Sequence, residues 1–407
     1  MTIQLEAAQK MLLDMVQTLG TEVLPLAQCS QRVLAETVTA ELNFPPFDRS
    51  PLDGYAVIAA DVQAARPDSP VVLRQIDMIA AGSVSRAVIT SGTACRIMTG
   101  APLPSGATGV VRVEDTDFAD GMVRIFAGGG IDQNICRAGE EIAAGEEVIQ
   151  AGTVINAGVM GMLAVLGKAC PLVYKKPKVS LLATGSELVS PDMPLAPGKI
   201  RNSNSYMLSG QVENAGGRPA FLGQARDEVE AIASVIAAAP ACDMTITTGG
   251  ASVGDYDLIG EVFARLGIDI LFEKVSIKPG MPVLAGVKSG KMFIGLSGNP
   301  AAASISFETL IRPVLLKMGG RQRWQRPKIR ATLARDFCKS SEARRFVWAY
   351  WWQDGKAMLV EPLHYQGNGM LKSAMGANCL IVIPTGTPPL ASGSEVDIEL
   401  LAEGVVR

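Results

Sequence analysis

Between residues 178 and 318 the chain alternates short apolar runs with amphipathic stretches, and no other feature constrains its fold as strongly. Residues 179–183, 219–222, 244–248 and 292–296 read as buried strands. Residues 204–214, 227–239, 258–266 and 301–318 carry apolar side chains at helical spacing. A strand that returns parallel to its neighbour needs a long crossover, and a helix supplies it. The alternation therefore predicts a three-layer α/β unit with a parallel sheet. In such sheets a ligand sits beyond the carboxyl ends of the strands.

Three of those strand ends share one chemistry. They are Thr184-Gly185-Ser186-Glu187, Thr248-Gly249-Gly250-Ala251-Ser252-Val253-Gly254-Asp255 and Ser297-Gly298-Asn299-Pro300. Glycine lets backbone N–H groups approach a ligand, hydroxyls add donors, and a helix start favours an anion. Converging loops of this kind suit a phosphate-bearing ligand. None has the spacing of a P-loop. Two or three of Glu187, Asp255 and Asp257 beside a phosphate would hold Mg²⁺ through oxygen. Each carboxylate also has a plainer reading. Glu187 can be a helix-start charge, Asp257 an N-cap, and Asp227 the head of a capping box with Glu230. Lys274 and Lys278, four apart in an extended run, would share one strand face and suit an oxyanion; a solvated edge is the alternative.

The flanking segments have other textures. Residues 3–18 and 27–39 read as short helices, and 140–175 as helix with Gly-rich turns. Between them, 44–135 holds short β runs separated by Gly, Pro and Asp turns. The reading is a helical, partly irregular N-terminal body (1–43 plus 136–175) interrupted by an all-β module (44–135). The α/β unit follows (176–322), and a small C-terminal β barrel or sandwich (323–407) closes the chain. Arg326-Pro327 reads as the linker into the barrel. The basic run 317–345, with ten cations against Asp336 and Glu342, reads as solvated surface. Phe346 to Trp352 reads as barrel core.

Composition excludes several function classes. One histidine, His364, leaves no His₃ or His₂-carboxylate zinc site within a chain. That histidine reads as structural. Lys plus Arg is 37 and Asp plus Glu 40, a net charge of −3, which speaks against nucleic acid as partner. Seven scattered cysteines with no C-x-x-C read as reduced thiols. No long uncharged apolar run predicts a membrane span. The first sixteen residues carry Glu6, Lys10 and Asp14, unlike a signal peptide. The expected location is the cytoplasm.

Taken together, the motifs resemble the MoeA family of molybdopterin molybdenumtransferases, to which the E domain of gephyrin also belongs. The resemblance spans essentially the whole chain. It rests on Phe47-Asp48-Arg49-Ser50-Pro51-Leu52-Asp53-Gly54-Tyr55-Ala56-Val57, Arg96-Ile97-Met98-Thr99-Gly100-Ala101-Pro102-Leu103-Pro104, and Ala183-Thr184-Gly185-Ser186-Glu187-Leu188. The Thr248 to Asp257 loop, Ile277-Lys278-Pro279-Gly280 and Gly298-Asn299-Pro300 complete it. The resemblance implies an elongated homodimer of four-domain subunits, with a MogA-like three-layer α/β domain of mixed, largely parallel sheet that binds molybdopterin. The partner's β module forms the facing wall of each site. It implies insertion of molybdate into molybdopterin from the adenylylated form, with Mg²⁺ and release of AMP. Asp53, Thr99, Glu187, Asp227, Asp255, Lys274, Lys278 and Pro300 match the family's functional positions. Glu187, Asp255, Asp53, Asp227 and Lys278 would carry the reaction. Thr99, Thr184, Gly185, Ser186, Gly249, Gly250, Ser252, Gly254, Lys274, Ser297, Gly298, Asn299 and Pro300 would bind substrate. A MogA-like adenylyltransferase and molybdoenzyme apoproteins are the implied partners. The chain departs from the family's usual residues at Cys136, Glu141, Met281, Ser297, Trp348 and Cys379. Alternative readings are a non-catalytic dimeric scaffold, a tungstate transferase of the same family, and a hydrolase of the CinA-like kind. The last leaves residues 1–135 and 326–407 without a role.

Overall fold

The computed structural model describes residues 2–249 and 256–401. Its centre is a seven-stranded sheet. The spatial order is Thr2–Ile3, Asp269–Val275, Pro282–Lys288, Lys291–Leu296, Met244–Thr248, Lys178–Thr184, Arg218–Ala225. Only Pro282–Lys288 runs against its neighbours. It joins Lys291–Leu296 through Ser289 and Gly290, both at positive φ (50° and 76°), the geometry of a two-residue hairpin. The sheet is thus largely parallel, as the strand–helix alternation predicts, and mixed through that one strand, as the resemblance implies. The alternation does not reveal Asp269–Val275 and Pro282–Lys288, because no helix separates them.

Helices cover both faces. Val179 and Leu181 pack on one side with Leu208, Val212, Ile294 and Phe307. Leu182 packs on the other with Ile232, Ile236, Ile259 and Phe263. Successive strand side chains point to opposite layers, so a strand buried on both faces reads as an unbroken apolar run.

The expected helix over 301–318 is helical throughout but not uniform. Pro300–Ser306 and Arg312–Met318 are α-helical, and Phe307–Ile311 between them is a π turn. Pro313 has no N–H to return to the carbonyl of Thr309, four residues back. The amide of Gln9 takes that carbonyl instead, at 2.8 Å.

Several N-terminal expectations are corrected. Helix Leu5–Asp14 forms, but it does not join residues 136–175. Leu5, Ala8, Leu12 and Val16 lie in the α/β core, and Thr2–Ile3 extends its sheet. Residues 27–39 are not a helix. They contribute part of a 3₁₀ turn (Leu26–Gln28) and the strand Val38–Thr39. The backbone of Leu34 pairs with Thr153 and that of Val33 with Tyr174, so contacts across more than 100 positions override helical spacing. Residues 140–175 hold one helix, Ala157–Val165, whose start is capped by Asn156, between strands Glu147–Ile149 and Leu172–Tyr174. Cys29, Leu34, Val38, Ile149, Ile155, Leu163 and Val173 form one cluster, so 21–39 and 147–174 make a common body.

Residues within 44–135 form a six-stranded sheet ordered Gly109–Arg112, Gly54–Val57, Thr93–Ile97, Val71–Ile79, Met122–Ile125, Thr116–Ala119. At the C-terminal end, Arg344–Asp354 pairs with Ala357–Pro362 and with Cys379–Ile383. Glu395–Leu400 and Lys328–Leu333 complete a closed five-stranded barrel. Phe346 and Trp348 face the α/β core, whereas Val347, Ala349 and Trp351 fill the barrel. The aromatic run is core on both sides.

Candidate active site

Thr184, Thr248 and Leu296 end three adjacent parallel strands, so their loops leave the sheet at one edge. The Gly249 N–H donates to the Leu296 carbonyl at 3.3 Å, and the Thr184 hydroxyl to the Thr248 carbonyl at 3.5 Å. A Cβ on Gly249 would lie 1.9 Å from the Thr184 carbonyl oxygen, and its φ is +104°. Only glycine fits there, because both the close approach and the dihedral exclude a side chain. On the third loop the Ser297 hydroxyl accepts the Asn299 N–H at 3.2 Å, which shapes the turn entering the helix at Pro300.

Asp227 does not cap the helix that follows. That helix runs Val229–Ala237 with Glu228 at its N-cap, and Asp227 accepts the Ser186 N–H at 3.0 Å. Since Asp227 lies just past the end of the edge strand, its carboxylate braces the Thr184–Glu187 loop from the neighbouring strand. The Lys199 ammonium donates to the Ser186 carbonyl at 2.6 Å and steadies the same loop.

These loops border an open cleft with a cavity volume of about 70 Å³, lined by Thr184, Glu187, Arg201, Asn204, Gly249 and Pro300 among others. Thr184 is buried, while Ser186 and Glu187 are exposed. The loop positions Gly250, Ser252, Gly254 and Asp255, and with them one of the carboxylates expected to hold Mg²⁺, lie outside the described residues.

The sequence reading missed one wall. Leu188–Val189 pairs in parallel with Ile200–Arg201, and Asn202 and Asn204 are buried behind it. Asn202 accepts the Ser205 N–H at 3.1 Å and so starts helix Asn204–Asn214. Asn204 donates to the Gly298 carbonyl at 2.8 Å and joins that helix to the third loop. Asn-Ser-Asn-Ser ahead of an apolar run signals only a helix start, so the contact with Gly298 left no local trace.

The two lysines do not share one strand. Lys274 is in Asp269–Val275, beside Thr2 and Pro282. Lys278 is in a separate two-residue strand, Ile277–Lys278, paired with Arg344–Arg345 of the barrel. Ser276 donates its N–H to Ile3 and ends the first strand, so the four-residue spacing no longer implies one face. Both lysines still lie at the edge where the loops emerge. Lys278 is exposed, and Asn368 of the barrel accepts the Ala301 N–H at 3.0 Å. The barrel therefore reaches the site from two directions.

Asp53 and Thr99 come together within the β module. One Asp53 oxygen accepts both the amide and the hydroxyl of Thr99, each at 2.8 Å. The Thr99 amide first, then its hydroxyl, holds the Asp53 carboxyl below its ordinary range. No hydrogen bond or ion pair among the described residues joins this pair to the cleft loops.

One more sequence reading changes. Arg326 is no loose linker, because its guanidinium is largely buried against Glu308 and the barrel's last strand. The rest of the basic run is largely surface as read, with exposed Lys328, Arg330 and Arg335 facing Glu399, Glu395 and Glu361, and half-buried Arg344 facing Glu6. His364 is exposed and meets Tyr365 edge-on. No described helix is long and apolar enough to cross a membrane.

Comparison with known proteins agrees along the whole chain. Residues 3–167 match the MoeA N-terminal region (domain I and II). Residues 180–317 match a probable molybdopterin binding domain, and 330–401 the MoeA C-terminal region (domain IV). A molybdopterin molybdenumtransferase of Bacillus subtilis is 38% identical over 398 residues, covering 94% of this chain and 90% of that protein. One from Staphylococcus aureus is 34% identical, covering 97% and 94%. A crystal structure of a molybdopterin biosynthesis moeA protein from Pyrococcus horikoshii superposes with a TM-score of 0.82 at 31% identity. It covers 98% of this chain and all of that one.

Proposed function

The chain belongs to the MoeA family, and we infer from that membership and from the cleft that it is a transferase of molybdenum cofactor biosynthesis acting on molybdopterin. The reaction we propose takes adenylylated molybdopterin and molybdate and yields the molybdenum-bearing cofactor and AMP. The observation that carries it is the meeting of three Gly- and hydroxyl-bearing strand ends at one sheet edge, with Glu187 in the cleft they border and Asp227 bracing the first loop.

The roles follow from what each group can do. Backbone amides and hydroxyls of the three loops cradle the phosphates, since glycine permits close approach. Asp227 keeps the Ser186 amide in place. Lys278, with Lys274 at the same edge, faces the oxyanion, where a cation offsets developing negative charge. The hard oxygen donors of the cleft fit Mg²⁺, which keeps several waters and takes one or two carboxylates. Glu187 and Asp255 would hold it, and the ion would neutralise the diphosphate and polarise its bridging bond.

Asp53 and Thr99 complete the site from the partner subunit of a homodimer. Within one chain they bond to each other and not to the cleft. A MogA-like adenylyltransferase supplies the substrate, and molybdoenzyme apoproteins receive the product in the cytoplasm. The test is to incubate the purified protein with adenylylated molybdopterin, Mg²⁺ and molybdate and to follow AMP release. AMP release that requires molybdate supports the reading. Its absence sinks it, and tungstate in parallel identifies the preferred oxyanion.

A further inference from the structure

Glu308 sits in the π turn Phe307–Ile311 with its side chain 10% exposed. One carboxylate oxygen accepts from Arg326 Nη2 at 2.7 Å and from Nε at 2.9 Å. The other accepts from the Gln211 amide at 3.0 Å. Arg312 lies 4.0 Å from the same carboxylate, and its pKa is pushed down to about 10, by burial first and then by Arg326. Two guanidiniums thus share one carboxylate where little water reaches. Stability alone explains such a triad poorly, because well-packed apolar side chains often serve as well or better.

The partners of Glu308 lead to the cleft. Gln211 is on helix Asn204–Asn214, whose first residue lines the cleft and holds Gly298. Glu308 is on the helical run that begins at Pro300, another lining residue. Arg326 Nη1 donates to the carbonyls of Leu400 and Leu401, at 3.0 and 2.8 Å, where the last barrel strand ends. One carboxylate therefore ties two helices that start at the cleft to the barrel. The barrel in turn pairs with Ile277–Lys278 and meets the Ala301 N–H.

We propose that Glu308, bridging Arg326, Arg312 and Gln211, is a positioning residue that seats the C-terminal barrel against the cleft and so keeps Lys278 and the 298–300 turn in working register. The kinetic part of its test rests on the transferase reading; the structural part does not.

The experiment compares the full chain with E308Q, R326K and the apolar triple variant E308L/R312M/R326M. It measures the thermal midpoint, hydrogen exchange across 277–278 and 395–400, and KM and kcat for molybdate. In E308Q two buried cations lose their counter-charge. Exchange in both segments should rise at least about tenfold, and the molybdate KM about 5- to 100-fold as the site loosens. R326K keeps the charge but cannot reach the carboxylate and both carbonyls at once, so it should fall between E308Q and the native chain. The triple variant should recover the native thermal midpoint while exchange and KM stay raised. Recovery of all three by the triple variant would mean that the triad serves stability only, and the proposal fails. It fails equally if E308Q changes neither exchange nor KM. If E308Q does not fold, R326K and the triple variant decide. If the native chain shows no turnover, the transferase reading falls, and exchange still tests the joint.

Discussion

The cleft and the Asp53–Thr99 pair are both built from polar loops at strand ends, yet they are held in opposite ways. The cleft draws on loops more than 100 positions apart, brought together by a buried parallel sheet. It leaves Glu187 and Ser186 exposed beside open space. The Asp53–Thr99 pair lies within one small sheet, and its carboxylate already accepts two hydrogen bonds from Thr99. The first region is organised to receive a ligand. The second is a carboxylate whose hydrogen bonds are made by a neighbour in its own module. Preorganisation can therefore come from a scaffold that spreads groups apart or from one that locks them together.

The harshest test of the comparison is Gly249→Ala. The new Cβ cannot coexist with the Thr184 carbonyl at 1.9 Å, so two cleft loops must separate. A displacement of this size should cut turnover by about 100-fold or more. Near-native AMP release from a folded variant would show that the close approach is incidental.

Charge gives the next effect. Lys278→Gln should remove a charge-assisted contact worth about 1.5–3 kcal/mol, about a 10- to 150-fold loss. High molybdate should restore part of it if Lys278 binds the oxyanion. Asp255→Asn should respond to Mg²⁺ and not to molybdate. If both respond to Mg²⁺ alone, Lys278 belongs to the phosphate network instead.

Mixing subunits bears on the comparison directly. Asp53→Ala and Glu187→Ala chains, inactive alone, should form mixed dimers with roughly one working site in two, because in C₂ dimers each subunit presents the same patch to its partner. No recovery after confirmed exchange would leave the Asp53–Thr99 pair outside the site.

The smallest effect is a titration. The Asp53 carboxyl is lowered in the folded protein, so its contribution is complete above the unfolded value, about 3.9. It is lost as pH falls through the lower folded value. Thr99→Val removes the hydroxyl and keeps the amide, so the Asp53 titration followed by carboxyl NMR should move upward. An unmoved titration would mean that the amide alone holds the charge.

The strand-end loops were legible because their residue types answer local needs. Gly249 must be glycine beside Thr184, and a buried strand such as Met244–Thr248 must be apolar or hydroxyl-bearing on both faces. The lysine pair misled for an equally local reason. Period-two alternation assumes one continuous strand, and the backbone of Ser276 turns to Ile3 between Lys274 and Lys278. Asp227 had a plausible local role as a cap, and only the folded chain shows it holding Ser186 instead.

By itself, then, the sequence determined the three-layer unit, the β character of the C-terminal domain and the Gly- and hydroxyl-bearing turns at the strand ends, because periodicity, turn chemistry and close backbone approach are encoded within a few residues. Only the tertiary structure decided that residues 2–16 belong to the α/β core, that Asn204 holds Gly298, and that Glu308 joins Arg312 and Arg326. Each of those depends on which groups lose water together, and groups far apart in the chain share no spacing that could announce it.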